Sequence, residues 1–495
     1  MNIATFLTLG LYFVAMLAIG LYAYRKSTSD LSGYMLGGRS LPPSVAALSA
    51  GASDMSGWIL MGLPGAMFVS GISSSWIAIG LLLGALLNYL IVAPRLRVFT
   101  QTAGDALTIP DYFAKRFFDD GISLRLIAST VIIIFFTLYT SSGLVAGGKL
   151  FESSFGLDYS TGLFITAAVV VAYTLFGGFL AVSLTDFVQG SIMFVALILV
   201  PFVAYSQFDS IAEINQAIAA TNPTYFNWFE GLTAMAIISS MAWGLGYFGQ
   251  PHIIVRFMAL RDIKDMPTMR NIGMGWMLIT LIGALAIGYT GVAYVTHFKF
   301  ELNDPETIFI VFSQILFHPL ITGFLLAAIL AAIMSTISSQ LLVSSSSLTD
   351  DFYKTFVKRD ASDKELVFIG RLSVFLVAVI AGALALDRDS TVLSLVSNAW
   401  AGFGAAFGPL VIFSLYWRQM TQKAAMAGMI VGAATVLIWI YAPISVGGES
   451  LSSVMYEIVP GFVLSSLAII LVSKLWPEQN EQVLQQFDHV EQQFK

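Results

Sequence analysis

Gly51-Ala52-Ser53-Asp54-Met55-Ser56-Gly57-Trp58 sets a carboxylate among small and hydroxyl residues inside one of the most apolar stretches of the chain. An acid near a bilayer centre costs at least about 2.5 kcal/mol and is by default a functional residue. The two glycines and two serines weaken a helix and free backbone carbonyls, which only a buried position lining a cavity tolerates. The segment reads as a break in a membrane-spanning helix, with Asp54 at the break.

Composition fixes the class around it. Of 495 residues, 57% are hydrophobic and 11% charged, and the mean hydropathy is +0.81, far above an ordinary soluble domain. This predicts an all-α integral membrane protein. Apolar runs long enough to cross about 30 Å of hydrocarbon as helices recur about thirteen times, at 5–24, 43–69, 74–93, 123–150, 159–179, 182–206 and 232–257. The remainder lie at 271–296, 319–346, 365–386, 391–416, 424–442 and 455–475. A transmembrane β-barrel would show short alternating segments, and these runs are continuous.

The first run is followed by Arg25 and Lys26 rather than preceded by them, so it is expected to stay as a helix with the N-terminus outside. Counting onward, the other basic residues fall in alternate loops: Arg95, Arg97, Lys115 and Arg116, then Arg256, Arg261, Lys264 and Arg270, and so on. Only Lys149, Lys299 and Arg388, of 24 lysines and arginines, fall on the other side. The tail from about Pro477 then ends in the cytoplasm.

A net charge of −6 without a basic stripe offers nothing to nucleic acid. Without cysteine there are no disulfides or thiolate metal sites, and His252, His297, His318 and His489 lack ligand spacing. Neither paired catalytic aspartates nor a Ser/His arrangement stands at membrane depth, so an enzyme is not expected. No Walker-type loop is present. Any pumping therefore draws on an ion gradient, and the class narrows to secondary transport, with a channel as competitor.

Secondary transporters carry corresponding helix interruptions in their two halves, marking a binding site near the midplane. Five helices after the first break comes Gly244-Leu245-Gly246-Tyr247-Phe248-Gly249-Gln250-Pro251, ending in a residue without a backbone N–H. Two helices later, Ala331-Ala332-Ile333-Met334-Ser335-Thr336-Ile337-Ser338-Ser339 crowds hydroxyls on one face. A sodium ion requires hard oxygens. Ser335 and Thr336 supply hydroxyls, and Ala52, Met55 and Ala332 supply carbonyls, with Asp54 acting through its field. Asp186, the other carboxylate in an apolar helix, is placed to polarise the same ion or to hold a second with Ser338 and Ser339. Arg39, just before the second helix, reads first as a positive-inside anchor, with a part in sodium coupling as the alternative.

Gly37-Gly38-Arg39-Ser40-Leu41, the Ala52-to-Trp58 segment, Gly177-Gly178-Phe179-Leu180-Ala181, Gly249-Gln250-Pro251-His252 and Ala399-Trp400-Ala401-Gly402-Phe403-Gly404 together resemble the sodium:solute symporter family. The resemblance runs to about residue 475 and is greatest to bacterial members that carry proline. It implies a core of two inverted five-helix repeats with broken helices at 43–416, preceded by an extra helix and loop at 1–42 and followed by two helices at 417–476. A cytoplasmic tail at 477–495 completes the chain. It implies Na+ as coupling ion at Ala52, Met55, Ala332, Ser335 and Thr336, the same groups the oxygen argument selects, with Asp54 needed for coupling. It further implies that Ser56, Gly57, Trp58, Tyr139, Trp243, Tyr247 and Pro251 line a pocket for L-proline. Serines at 338 and 339 resemble the arrangement of members with an extra sodium site. The expected function is sodium-coupled import of L-proline across a bacterial plasma membrane, surrounded by lipid and without an obligatory protein partner. A symporter for another small organic solute, or a membrane sensor module, is the alternative.

Overall fold

Inside hydrocarbon a backbone has no hydrogen-bond partner but itself, so long apolar runs become helices, and the computed structural model is helical almost throughout. It describes residues 3–26, 31–119, 123–229, 231–387, 391–477 and 480–494. Arg388, assigned above to an outer loop, lies outside these residues. Ten helices among those described are long and apolar enough to cross a membrane, and they coincide with ten of the expected spans. The expected spans at 43–69, 159–179 and 232–257 take the form of shorter pieces.

Two of the three are short because they are broken. Pro43–Asp54 is followed by a 3-10 turn at Gly57–Ile59 and then by Gly62–Ser70. Ala234–Met241 is followed by the 3-10 segment Ala242–Gly249 and then by Pro251–Ala259. Proline opens both Pro43–Asp54 and Pro251–Ala259, where its missing N–H would have had no helical partner anyway. The third piece belongs to a continuous 47-residue run, Tyr159–Tyr205, interrupted by Gly178 at φ 58° and ψ −177°. Glycine adopts that conformation without the steric penalty of a side chain.

The two broken segments are tied together at one end, where Leu41 N–H donates to the Ala259 carbonyl (3.2 Å) and Arg261 N–H to the Leu41 carbonyl (3.1 Å). Behind them stand the two most enclosed long helices, Pro319–Ser346 and Val392–Tyr416, each 83% buried over its apolar window. Ile3–Lys26 packs on the outside, with Leu7, Leu11 and Val14 exposed as lipid-facing residues are. Helix Ser75–Leu87 crosses the second break at backbone contact: a Cβ on Gly84 would lie 2.2 Å from the Gly244 carbonyl oxygen. Because backbone cannot yield as a side chain can, Gly84→Ala is expected to destabilise the protein by about 1–3 kcal/mol, seen as earlier thermal unfolding in detergent.

Two arginines counted above as loop residues are wholly enclosed. Arg116 is 0% exposed and donates to the Ser414 and Val483 carbonyls, and Arg256 is also 0% exposed. Charge counting assigns such residues to loops because it cannot see a polar partner waiting inside. Lys149 is buried too, its Nζ 2.9 Å from Glu306 and 3.1 Å from Asp304. The tail expected at 477–495 contains a helix, Glu481–Gln493, whose Val483, Phe487 and Val490 are buried. Asp488 pairs with Arg418 at 2.7 and 2.8 Å, and Glu491 pairs with Arg95.

Candidate functional site

The first break begins where Met55 N–H closes the last regular turn on the Gly51 carbonyl (3.0 Å). Ser56 then takes φ 24°, ψ −165°, a left-handed backbone that costs a non-glycine residue energy and is commonly retained at functional sites. With the helical pattern lost, the Ala52 carbonyl accepts from the Ser335 hydroxyl at 2.8 Å and from the Thr336 hydroxyl at 3.4 Å. Ser335 Oγ also lies 3.1 Å from the Ala332 carbonyl. Ala52, Met55, Ala332, Ser335 and Thr336 are all buried. Four of the five predicted sodium donors thus lie within hydrogen-bond distance of one another, and Met55, whose carbonyl accepts from Ile59 N–H (3.3 Å), sits on the same turn. The set is neutral, oxygen-only and buried, which suits a hard monovalent cation.

Asp54 ends the helix beside this set. Its Oδ2 accepts from the Tyr247 hydroxyl at 2.5 Å, and its carbonyl accepts from the Tyr139 hydroxyl at 3.2 Å. Its Oδ1 is buried without a protein donor among the described residues. A cavity of about 20 Å³ lies alongside, lined by Asp54, Asn88, Tyr89, Tyr247, Trp276 and Met277. That is room for roughly one water, not for an amino acid. Tyr247 therefore joins the two breaks directly. Removing only its hydroxyl, as Tyr247→Phe, takes away a hydrogen bond to a charged group worth about 1.5–3 kcal/mol. The expected result is a sodium requirement for uptake raised by at least tenfold, with the protein normally inserted.

The residues expected around the organic substrate gather at the same level. Trp58 and Trp243 rings are 6.4 Å apart, and Trp243 stacks on Tyr456 at 5.4 Å. Tyr247 meets Trp400 edge to face at 5.0 Å, and the Trp400 indole N–H donates to the Trp243 carbonyl (2.7 Å). Gly246 is required here, since a Cβ would fall 1.9 Å from Trp400 Nε1. Ser56, Gly57, Trp58, Tyr139, Trp243, Tyr247 and Pro251 are all buried.

Asp186 and Arg39 stand apart from the Ala52–Ser335 contact. Asp186 Oδ2 accepts from the Ser49 hydroxyl (2.7 Å) and from Arg256 Nη2 (3.1 Å), and Ser339 accepts from the same Nη2 (2.7 Å). Ser338 donates instead to the Ser335 carbonyl (3.2 Å). Arg39 pairs with Asp105 (2.7 Å) and donates to the carbonyls of Ala106 (2.7 Å) and Met258 (2.8 Å). It ties the chain before the first break to the end of the second. Arg256, Asn88 and Tyr456 were missed from sequence. The π-helical turn Asn88–Val92 has no sequence signature, although such turns often mark functional positions.

Two discontinuous helices packed against an enclosed helix, with hydroxyl and carbonyl oxygens converging at membrane depth, define an ion-coupled secondary transporter. The match to known proteins makes this specific. The model of the sodium:solute symporter family matches residues 34–432, and the chain belongs to that family. It is 60% identical over 475 residues to the osmoregulated proline transporter OpuE of Bacillus subtilis, covering 96% of this chain and 95% of that one. It is 57% identical to the high-affinity proline transporter PutP of the same organism (96% and 98%). To a sodium/proline symporter of Staphylococcus aureus it is 54% identical (96% and 93%). Among solved structures, a Na+-coupled sialic acid symporter in a substrate-bound outward-open state superposes with a TM-score of 0.79 at 22% identity, over 97% of this chain and 100% of that one. Mhp1, a nucleobase-cation-symport-1 family transporter, gives a TM-score of 0.53 at 13% identity, over 93% and 99%. These two establish the shared fold.

Proposed function

We propose that this chain imports L-proline together with Na+ by alternating access, and that the ion sits between the Ala52 and Ser335 segments. The observation that carries the site is the 2.8 Å contact of Ser335 Oγ with the Ala52 carbonyl at the helix break, alongside relatives named as proline transporters at 54–60% identity. Ala52, Met55 and Ala332 contribute carbonyls, and Ser335 and Thr336 contribute hydroxyls. Asp54 supplies charge next to them. Asp186 and Ser339 form a second position with the oxygens of a cation site, reached by Arg256, whereas the Ser338 hydroxyl turns to the Ser335 carbonyl. Arg39 acts on coupling at a distance, by holding the ends of the two broken segments together.

Ser56, Gly57, Trp58, Tyr139, Trp243, Tyr247 and Pro251 enclose the amino acid. Proline is a zwitterion with an apolar ring, so freed helix termini meet its carboxylate and ammonium while aromatic faces pack on the pyrrolidine. Sodium enters first and draws the 43–54 and 319–346 segments together, which organises the break for proline. Inward opening separates the same two segments and takes donors from the ion, because transport requires a difference in affinity between states. One sodium crossing 100 mV provides about 2.3 kcal/mol, and a tenfold gradient adds about 1.4 kcal/mol. Their sum sustains an accumulation on the order of 500-fold.

The protein resides in the bacterial inner membrane with its N-terminus outside and its C-terminus in the cytoplasm. Residues 1–42 provide the extra helix, 43–416 the transport core, 417–476 the closing pair and 477–495 the tail. Uptake of radiolabelled L-proline into proteoliposomes with an inward sodium gradient tests the reading, using excess unlabelled amino acids and sugars as competitors. Sodium-dependent accumulation displaced by proline and its close analogues is expected. Displacement by a different solute would reassign the substrate and keep the mechanism, whereas sodium flux without solute would make the protein a channel.

A further inference from the structure

We propose that Tyr456, in the turn that leads into the last membrane helix, is the positioning residue that sets Trp243 and thereby the ring size the pocket accepts. The proposal rests on the reading of Trp243 as a wall of the proline pocket and concerns what holds that wall in place. Tyr456 stands outside the 43–416 segment that carries both breaks, just before helix Ile458–Leu475. It is nevertheless buried, with 8% of its surface exposed. Its ring stacks on the Trp243 ring at a centroid distance of 5.4 Å and an interplanar angle of 27°, within the offset-stacked range that aromatic pairs favour. Its hydroxyl donates to the Ser397 carbonyl (2.8 Å), and its backbone N–H donates to the Ser239 hydroxyl (3.0 Å). Ser239 belongs to Ala234–Met241, the helix that runs into the second break, and Ser397 to Val392–Tyr416. One tyrosine is thus clamped to both elements that frame the break, with its ring on the tryptophan between them.

Trp243 is held at two points. Its carbonyl accepts from the Trp400 indole N–H (2.7 Å), and its ring rests on Tyr456. Ser397 and Trp400 are three residues apart and share one face of a helix, so both supports come off the same surface. Nearby, a Cβ on Gly404 would lie 2.6 Å from Ile458 Cδ1 and 2.9 Å from Gly246 Cα. The last helix, helix Val392–Tyr416 and the second break therefore meet there in direct contact. Trp243 in turn lies 6.4 Å from Trp58 at the first break. Fixing a large side chain before the ligand arrives removes an ordering cost from binding. It also keeps constant the space that the side chain bounds. Without the Tyr456 ring, the indole gains a cavity to swing into, and that space widens.

The test is displacement of radiolabelled L-proline from the purified protein at saturating sodium, by unlabelled L-proline and by its six-membered ring homologue L-pipecolate. The ratio of the two affinities does not depend on how much of the protein is active, so a merely structural loss leaves it unmoved. Tyr456→Ala is expected to weaken proline binding about threefold to tenfold, the cost of ordering one large side chain on binding. The ratio is expected to shift toward pipecolate by at least about threefold. Tyr456→Leu, which keeps bulk without a ring, is expected to shift the ratio the same way, and Tyr456→Phe, which keeps the stacked ring, to hold the wild-type ratio. A wild-type ratio in Tyr456→Ala, or in Tyr456→Leu should the alanine protein fail to fold, overturns the proposal. So does a Tyr456→Phe protein that shifts as far as the alanine variant, since the hydroxyl and not the ring would then be responsible. Trp243→Ala tests the reading beneath the proposal. If it leaves both affinities unchanged, Trp243 does not line the pocket and that reading fails, an outcome distinct from a sensitive Trp243 beside a silent Tyr456.

Discussion

Replacing Ser335 and Thr336 together by alanine is expected to raise the sodium concentration for half-maximal proline uptake by at least 100-fold. Both hydroxyls are buried and both aim at the Ala52 carbonyl, at 2.8 and 3.4 Å. Each oxygen lost to a cation is a hydrogen-bond-scale contact to a charge, worth about 1.5–3 kcal/mol, and two together exceed a factor of 100. Helix Pro319–Ser346 tolerates alanine well, since alanine has the highest helix propensity, so the variant should insert and fold. Sodium activation curves at fixed proline, on protein shown to be correctly inserted, measure the effect. An unshifted curve would remove these two residues from the sodium site.

Asp54→Asn is expected to act nearly as strongly and by a different route. The side chain keeps its size and can still accept from Tyr247, so the 2.5 Å contact does not depend on the charge for its shape. What disappears is the negative charge beside the oxygen cluster. At an effective dielectric of about 20, a neighbouring unit charge favours a sodium ion by roughly 2–4 kcal/mol, on the order of 100-fold in affinity. Proline affinity measured at saturating sodium should change far less, because neither proline charge is assigned to this carboxylate. A large loss of proline affinity with normal sodium activation would instead make Asp54 a substrate ligand. Measuring both constants for one variant separates the two roles.

Much of this was legible because hydrocarbon leaves few options. An acid flanked by glycine and serine at membrane depth has no bland explanation, and the Asp54 break stands where the sequence places it. The Ser335 face is visible because hydroxyl residues three and four apart share one side of a helix. The Val483, Phe487 and Val490 spacing that docks the tail helix is equally present in the sequence, but three apolar residues in a polar terminal segment do not by themselves say that a surface awaits them. Arg256 could not be read. Its partners Asp186, Ser49 and Ser339 are 70, 207 and 83 residues away, and a lone arginine at the end of an apolar run looks like a loop anchor. Asn88 was hidden for a related reason, since a π turn inside a continuous helix leaves the hydrophobic pattern intact. Local chemistry announces the break, whereas the polar contacts that neutralise the core arise only when distant helices meet.

The proposed mechanism requires that sodium and proline bind one protein cooperatively through the Ala52–Ser335 junction. It is tested most directly by equilibrium binding of radioactive sodium to the purified protein, with and without L-proline, in the wild type and in the Ser335→Ala/Thr336→Ala variant. Linkage requires that if sodium strengthens proline binding, proline strengthens sodium binding by the same factor. Saturable sodium binding that tightens with proline in the wild type and is lost in the variant is the predicted result. Sodium binding that ignores proline, or that survives loss of both hydroxyls unchanged, would contradict it.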